Sequence, residues 1–243
     1  MLAERFPERV QSEPEVIARH YDQAGLASQA ITHHQRAGER ATQRSANEEA
    51  IAHLRRALDL IATLPETRER HQLELGLQMK IGLPLAALRW SNTEYERAYA
   101  RARELTSLIG ESPELPRVLV GMADAYLAQG DLVTAAEIAQ QALTAAERTG
   151  DPFDRLSAHE EVAVALLFQG HFSRALEHFE QSIELYDPTA HGSLAYGVAI
   201  DRGVHAYALA AWCHVYLGHP DRALSMSEEA VALGKRSEHR LRA

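Results

Sequence analysis

One stretch of the sequence has the composition of a catalytic loop. Residues 186–204 read YDPTAHGSLAYGVAIDRGV, with two Asp, one His, two Tyr and three Gly. Ser193 lies near His191 and Asp201, which are the three residue types of a hydrolase triad. No Gly-x-Ser-x-Gly turn surrounds this serine, and such a turn is what exposes the nucleophile in a large class of hydrolases. The stretch therefore does not predict catalysis.

Other pairs of reactive residues are poorly spaced for nucleophilic chemistry. Ser157 and His159 are two positions apart on a predicted helix, so their side chains do not face each other. Cys213 and His214 are adjacent and have the same problem. The sequence contains no GxxxxGK[ST] phosphate loop and no GxGxxG after a strand, so we expect no catalytic residues in this chain. Paired carboxylates are interpreted as solvated helix faces, namely Glu160-Glu161 and Glu228-Glu229.

Thirteen histidines raise the question of a metal site. Zinc sites built on helices need ligands on one face, as in HExxH. His159-Glu160-Glu161 begins like that motif, but Ala163 stands where the second histidine is required. We expect neither a metal site nor a bound cofactor, and interpret the histidines as scattered surface and packing residues.

The elements that carry these residues follow an internal repeat. In each copy an apolar helical pattern ends at a glycine, and an alanine follows five residues later. The glycine can adopt the left-handed conformation that ends a helix, and the alanine is small enough for two antiparallel helices to approach closely. No segment alternates as a strand would. The copies are MADAYLAQGDLVTAAEIAQQAL (122–143), VAVALLFQGHFSRALEHFEQSI (162–183) and AAWCHVYLGHPDRALSMSEEAV (210–231), with a weaker copy at 18–37 around Gly25 and Ala30.

The Tyr126–Gly130–Ala135–Ala142 spacing resembles the tetratricopeptide repeat (TPR), whose period is ~34 residues. This resemblance implies an all-α fold, a right-handed α-solenoid of stacked antiparallel helix pairs. We expect a single helical-repeat domain over residues 1–243, with degenerate repeats over 1–110 and clearer repeats over 111–243. Further helices are predicted from the remaining apolar patterns, at 47–65, 69–88 and 92–110.

The same period changes the interpretation of residues 186–204. Gly170 and Gly218 are 48 residues apart, about 14 more than one repeat of ~34 residues. The excess falls on this stretch. We therefore predict an insertion between repeats, whose polar residues satisfy backbone groups and helix ends.

A wider resemblance covers nearly the whole chain. It rests on the order of four segments, AGERATQRSANEEAIAHLRRAL, GLPLAAL, EYERAYARARELTSLIGE and ELYDPTAHGSLAYGVAIDRGV. This order is similar to the TPR-rich region of large bacterial signalling proteins. There the region follows an AAA-type or STAND-type ATPase module, often preceded by a class III adenylate or guanylate cyclase domain. The resemblance implies that the chain is a fragment of such a protein and is itself non-catalytic.

The first helices of TPR repeats line the concave face of the solenoid. When the glycine is placed at position fifteen, positions two, five, nine and twelve face this groove. An aromatic residue, an Arg and two carboxylates on an apolar wall suit a peptide or helix. One alternative places Trp212 in the core between repeats instead. The binding residues predicted in this way are Arg117, Asp124, Glu160, Val164, His205 and Trp212.

Composition excludes several classes of partner. The net charge of −9 resides in residues 111–243, and an acidic surface repels nucleic acid. No apolar run reaches the roughly 18 residues that span a bilayer. The single cysteine, Cys213, lies in the apolar run LAAWCHVYL, which predicts a buried thiol and is compatible with a reducing cytoplasm.

The predicted function is a protein-interaction or regulatory region that binds a protein or peptide, or other domains of its parent chain. It would act as a sensor or scaffold in the cytoplasm and could form oligomers. The alternative is a small-molecule-binding solenoid closed by residues 186–204 and Trp212. A free-standing enzyme is the least favoured interpretation.

Overall fold

The computed structural model describes residues 14–88, 93–191 and 201–242, with side chains up to residue 236. Within these ranges the chain forms eleven α-helices and no strand. The predicted fold class, an all-α TPR-like solenoid of stacked antiparallel helix pairs, is confirmed. The helices are α1 Pro14–Gln23, α2 Ala27–Gln43, α3 Asn47–Ala62, α4 Arg68–Leu88, α5 Thr93–Ile109, α6 Leu115–Gln129, α7 Leu132–Thr149, α8 Pro152–Phe168, α9 Phe172–Leu185, α10 Arg202–Tyr216 and α11 Pro220–Arg242.

The chain divides into two compact units, Met1–Ser112 and Pro113–Ala243. Unit 1 contains α1–α5 and unit 2 contains α6–α11. The boundary lies close to the predicted change from degenerate to clear repeats at 110/111, while the single domain over 1–243 stays a prediction. None of the helices described is long and apolar enough to cross a membrane.

Unit 2 is built from three helix pairs, α6–α7, α8–α9 and α10–α11. Among the first helices of the pairs, α8 packs against both α6 and α10, so the three form one layer. Gly130, Gly170 and Gly218 all have positive φ, at 81°, 80° and 80°. Ala135 and Ala175, each five residues after its glycine, are fully buried. The glycine–alanine pattern thus has the structural role that the sequence predicted.

Unit 1 contains a repeat that the sequence pattern did not reveal. Ser45 stands between α2 and α3 with a φ of 57°, the conformation that glycine has in the other repeats. Ala50, five residues later, is fully buried. The glycine and alanine of the predicted weaker copy form a similar turn between α1 and α2, since Gly25 has a φ of 70° and Ala30 is fully buried. Helices α2 and α4 pack together, so they share a layer as α6 and α8 do in unit 2.

Aspartate side chains fix where three helices of unit 2 begin. Asp131 accepts a hydrogen bond from the backbone N–H of Thr134 at the start of α7. Asp151 and Asp201 cap α8 and α10 in the same way. Because an N-cap satisfies otherwise unpaired N–H groups, these residues define the first turns of α8 and α10. Those turns carry part of the candidate site.

Candidate functional site

Three helices of one layer bring five charged residues together in unit 2. Asp124 lies on α6, Glu160 and Glu161 lie on α8, and Arg202 and His205 lie on α10. We call this set the charged cluster. Three of its members, Asp124, Glu160 and His205, were predicted as groove residues, and the structure brings them together.

Glu160 is the centre of the cluster. Its carboxylate is fully buried. Arg202 Nη1 donates to Oε2 at 3.0 Å and His205 Nδ1 donates to Oε1 at 2.5 Å. Burial lowers the pKa of Arg202, but the carboxylates of the cluster raise it more, so the guanidinium stays charged. Both oxygens of Glu160 therefore have a donor from the neighbouring helix.

Glu161 and Asp124 have a different environment. Glu161 is 2% exposed, and burial, reinforced by the charge of Asp124, raises its pKa well above the usual range. Burial also raises the pKa of Asp124, with Arg202 opposing the shift. The neighbouring charge of Asp124 adds to the burial of Glu161, and the raised pKa favours the protonated form of Glu161. Asp124 is partly exposed, so solvent reaches this member of the pair.

Arg117 is engaged with the beginning of α8. Its Nε donates to Asp154 Oδ1 at 2.6 Å, and its Nη2 lies 3.9 Å from Asp151 Oδ2. Burial raises the pKa of Asp154, and Arg117 opposes that shift. This predicted groove residue thus joins α6 to α8 in the structure.

The apolar members of the predicted set lie in different environments. Val164 is buried among the core residues of unit 2, so it offers little surface to a ligand. Trp212 is 53% exposed, and the alternative that it packs in the core is wrong. Asp124, Val164 and Trp212 each precede a repeat glycine by six residues, so they occupy equivalent positions on α6, α8 and α10.

Sequence reasoning missed two members of the cluster. The interpretation of Glu160-Glu161 as a solvated face is wrong, although it is right for the exposed pair Glu228-Glu229. Helix α8 packs against α6, α7, α9 and α10, so nearly all of its circumference is buried. Arg202 lies one turn before His205, and this i, i+3 spacing was the available signal.

Two histidine pairs occur at the same spacing in both units. His34 and His53 share a hydrogen bond between their Nδ1 atoms of 3.0 Å, and so do His159 and His178. Burial lowers the pKa of all four imidazoles. The first histidine of each pair precedes its turn residue, Ser45 or Gly170, by eleven positions. In the part of the chain that the structure describes, no three His, Cys, Asp or Glu side chains are grouped to hold a metal ion.

The ends of the 186–204 stretch confirm the predicted use of its polar residues. Asp187 Oδ1 accepts from the backbone N–H of Thr189 at 2.7 Å, and Asp201 caps α10. The Tyr186 hydroxyl donates to Asp201 Oδ2 at 3.0 Å. The candidate nucleophile Ser193 lies outside the described residues. Cys213 is buried as predicted, and burial raises the pKa of its thiol to about 11.

Comparison with known proteins identifies the repeat in unit 2. Residues 114–187 match the tetratricopeptide repeat family model. This TPR segment covers α6–α9 and includes three members of the charged cluster. A search of curated protein sequences found no match to the chain.

Several solved structures are similar to the chain as a whole. The crystal structure of BtubC (BKLC) from P. vanneervenii has a TM-score of 0.66 at 12% identity, covering 95% of this chain and 92% of that one. Aspartyl phosphate phosphatase F from Bacillus subtilis has a TM-score of 0.65 at 14% identity; the match covers 98% of this chain but only 57% of the phosphatase. The apo form of RapI has a TM-score of 0.65 at 12% identity, covering 86% and 72%. At these identities the likeness shows the fold alone.

Proposed function

We propose that this chain is a non-catalytic TPR interaction region in which the layer of α6, α8 and α10 receives part of a protein or peptide partner. The main support for this role is that the layer contains both the charged cluster and the exposed Trp212. Trp is enriched among the residues that dominate binding energy at protein interfaces.

The position of Trp212 supports this use of the layer. Trp212 lies two turns after His205 on α10, so both side chains point to the same side of the helix. His205 is partly exposed as well. A peptide along the layer could thus contact an aromatic surface and a charged surface together.

We also propose that this region belongs to a larger cytoplasmic signalling protein. This proposal rests on the four-segment resemblance to TPR-rich regions that follow ATPase or cyclase modules. The region would relay partner binding to such a module. Sequencing the complete coding region tests this directly: an ATPase or cyclase module beside the TPR segment supports the proposal, and a reading frame confined to these residues contradicts it.

A peptide-display selection against the purified chain tests the interaction role. We expect enriched peptides whose affinity falls about ten-fold or more in Trp212→Ala, because loss of a central aromatic contact typically costs 1–2 kcal/mol or more. Fluorescence anisotropy with the labelled peptide measures this change.

The matched control is Leu224→Ala on α11, which removes a similarly exposed apolar side chain outside the layer. Its affinity for the peptide should equal that of the unaltered chain. Equal losses in the two variants, or an affinity unchanged by Trp212→Ala, would contradict the proposed surface. A small molecule that raises the melting temperature, but not in Trp212→Ala, would instead favour the small-molecule alternative.

A further inference from the structure

The buried carboxylates of the chain differ in whether they have a cationic partner. Four are buried in the described ranges, and three of them form a hydrogen-bonded ion pair with an arginine. Glu161 is the fourth, and no basic side chain of the described residues forms an ion pair with it. The three satisfied pairs are Glu74–Arg101, Asp154–Arg117 and Glu160–Arg202.

Glu161 also lacks a full set of hydrogen-bond donors. Its Oε1 is buried and no donor reaches it. One turn earlier on the same face of α8, the Ser157 hydroxyl is buried and has no partner either. Buried polar groups without partners are rare because each one costs free energy. Two of them on one helix face indicate a place where an additional donor group fits.

We propose that the carboxyl pair of Asp124 and Glu161 binds a cationic nitrogen group, the ammonium or guanidinium of a lysine or arginine in a bound peptide. This deepens the proposed function and rests on it, since the peptide would lie on the same layer. Such a group supplies both a positive charge and several N–H donors.

The surroundings of the pair favour a cation over an anion. Glu160 is neutralised by Arg202 and shares a hydrogen bond with His205. The remaining carboxyl groups, Asp124 and Glu161, then carry the uncompensated negative charge of the cluster. Asp124 is the partly exposed member of the pair, so the incoming nitrogen meets its carboxylate first and Glu161 behind it.

Binding would exchange a proton for the cation. In the free chain the raised pKa of Glu161 favours a protonated carboxyl group on that residue. When the cationic group forms its hydrogen bonds, this proton leaves to solvent and both groups become carboxylates. The raised pKa of both groups agrees with this exchange. The charged groups that face the pair are Glu160 from α8 and Arg202 and His205 from α10.

The site is tested by titrating the whole chain with small probes and measuring the shifts of its backbone amide NMR signals. The probes are Nα-acetyl-lysine N-methylamide, whose side-chain ammonium is free, the corresponding norleucine compound, whose side chain is uncharged, and spermidine. We expect saturable shifts in α6, α8 and α10 with the lysine probe and none with norleucine. Affinity should rise with pH, by up to about ten-fold per pH unit while the pair still holds its proton, because one proton is displaced.

Two variants and a control localise the effect. Glu161→Gln and Asp124→Asn remove one carboxylate each with little change in shape, and each should weaken lysine-probe binding about ten-fold. Glu184→Gln changes an exposed glutamate on α9 and should bind as the unaltered chain does. A circular dichroism melt of each variant establishes that it is folded.

The other possible results distinguish the cation site from the interaction role of the layer. Shifts of equal size with norleucine, or binding unchanged in Glu161→Gln, would overturn the cation site. Binding of spermidine without the lysine probe would overturn the peptide source. Selected peptides that require Trp212 but contain no Lys or Arg would overturn the cation site and leave the interaction role intact. Saturable lysine-probe binding without any selected peptide would support the site and contradict the interaction role.

Discussion

At the scale of single residues, Glu160 and Glu161 show how neighbours in sequence acquire different electrostatic roles. Glu160 has two donors on α10, whereas Glu161 lies near Asp124 and has a buried Oε1 atom that no donor reaches. A buried carboxylate with good partners supports the fold. One without them favours the protonated form.

The pH dependence of stability should therefore differ between these two positions. Glu161 has a folded pKa above its ordinary value of 4.5, so the folded chain binds more protons than the unfolded chain above that pH, and stability falls as pH rises. Glu161→Gln removes this loss, and we expect it to raise the unfolding free energy at about pH 8 relative to the unaltered chain. The difference should shrink toward about pH 4.5 in urea titrations across this range.

Glu160→Gln should have the opposite effect to Glu161→Gln on the unfolding free energy. It leaves the buried guanidinium of Arg202 without its carboxylate partner, and we expect a loss of about 3 kcal/mol in unfolding free energy. Destabilisation of the same sign and size by both substitutions would contradict the different roles assigned to the two residues.

Much of the cluster was visible in the sequence, and the reason it was incomplete is physical. The TPR resemblance implied that Asp124, Glu160 and His205 face one groove, and the structure brings these three residues together. Glu161 escaped that argument because α8 is packed on nearly every side. On such a helix an i+1 neighbour is buried along with the groove residue, and periodicity no longer separates solvent from core.

At the scale of elements, the turn between two helices depends on backbone conformation more than on residue type. Ser45 adopts the φ that glycine has at the equivalent turns. The sequence pattern found repeats by their glycine and therefore passed over this one. The buried Ala50 and the His34–His53 pair reveal the repeat in the structure.

The positive φ of Ser45 gives a prediction for the stability of unit 1. An L side chain in the left-handed region costs about 1–2 kcal/mol, so Ser45→Gly should stabilise the chain by roughly 0.5–1 kcal/mol after the entropy of glycine is subtracted. Urea unfolding followed by circular dichroism measures the change. The same substitution within a helix, Ser107→Gly on α5, should destabilise by about 0.5–1 kcal/mol. A loss of stability in Ser45→Gly would show that the serine side chain is itself required.

The histidine pairs join the two helices of a repeat and should make that joint sensitive to acid. Each lowered pKa means that the folded state resists protonation, so stability is full above the ordinary value of 6.5 and is lost as pH falls below it. We expect the melting temperature to fall between about pH 7.5 and pH 5, and to fall less in the double variant His53→Asn/His178→Asn.

Asparagine can keep a hydrogen bond to the remaining histidine but does not titrate in this range. The exposed His20→Asn on α1 serves as the control, and its pH dependence should match that of the unaltered chain. An unchanged pH dependence in the double variant would show that other groups cause the acid sensitivity.

At the scale of the whole molecule, charge and repeat quality change at nearly the same place. The net charge of −9 resides in residues 111–243, and the second compact unit begins at Pro113. The sequence predicted a change from degenerate to clear repeats at 110/111, within a single domain. The sequence could not predict which acidic residues are buried. Net charge counts a solvated carboxylate and a buried residue such as Glu161 in the same way.

Concentration of negative charge on unit 2 should steer basic peptides toward it. We expect the association rate of a basic peptide to fall as ionic strength rises from about 0.01 M to 0.15 M, because the screening length shrinks from about 30 Å to about 8 Å. Stopped-flow fluorescence measures the rate. A peptide of the same length with acidic residues in place of the basic ones is the control, and its rate should not fall. A salt-independent rate for the basic peptide would contradict steering.

The contact of Tyr186 with the beginning of α10 has a consequence for engineering. Its hydroxyl binds Asp201, and its ring lies so close to Gly203 that any added Cβ would meet it at 2.6 Å. The two ends of the 186–204 stretch are thus held together by their own side chains. A larger residue at position 203 would therefore have to displace the Tyr186 ring. A redesign of the junction between α9 and α10 should leave Tyr186, Asp201 and Gly203 unchanged.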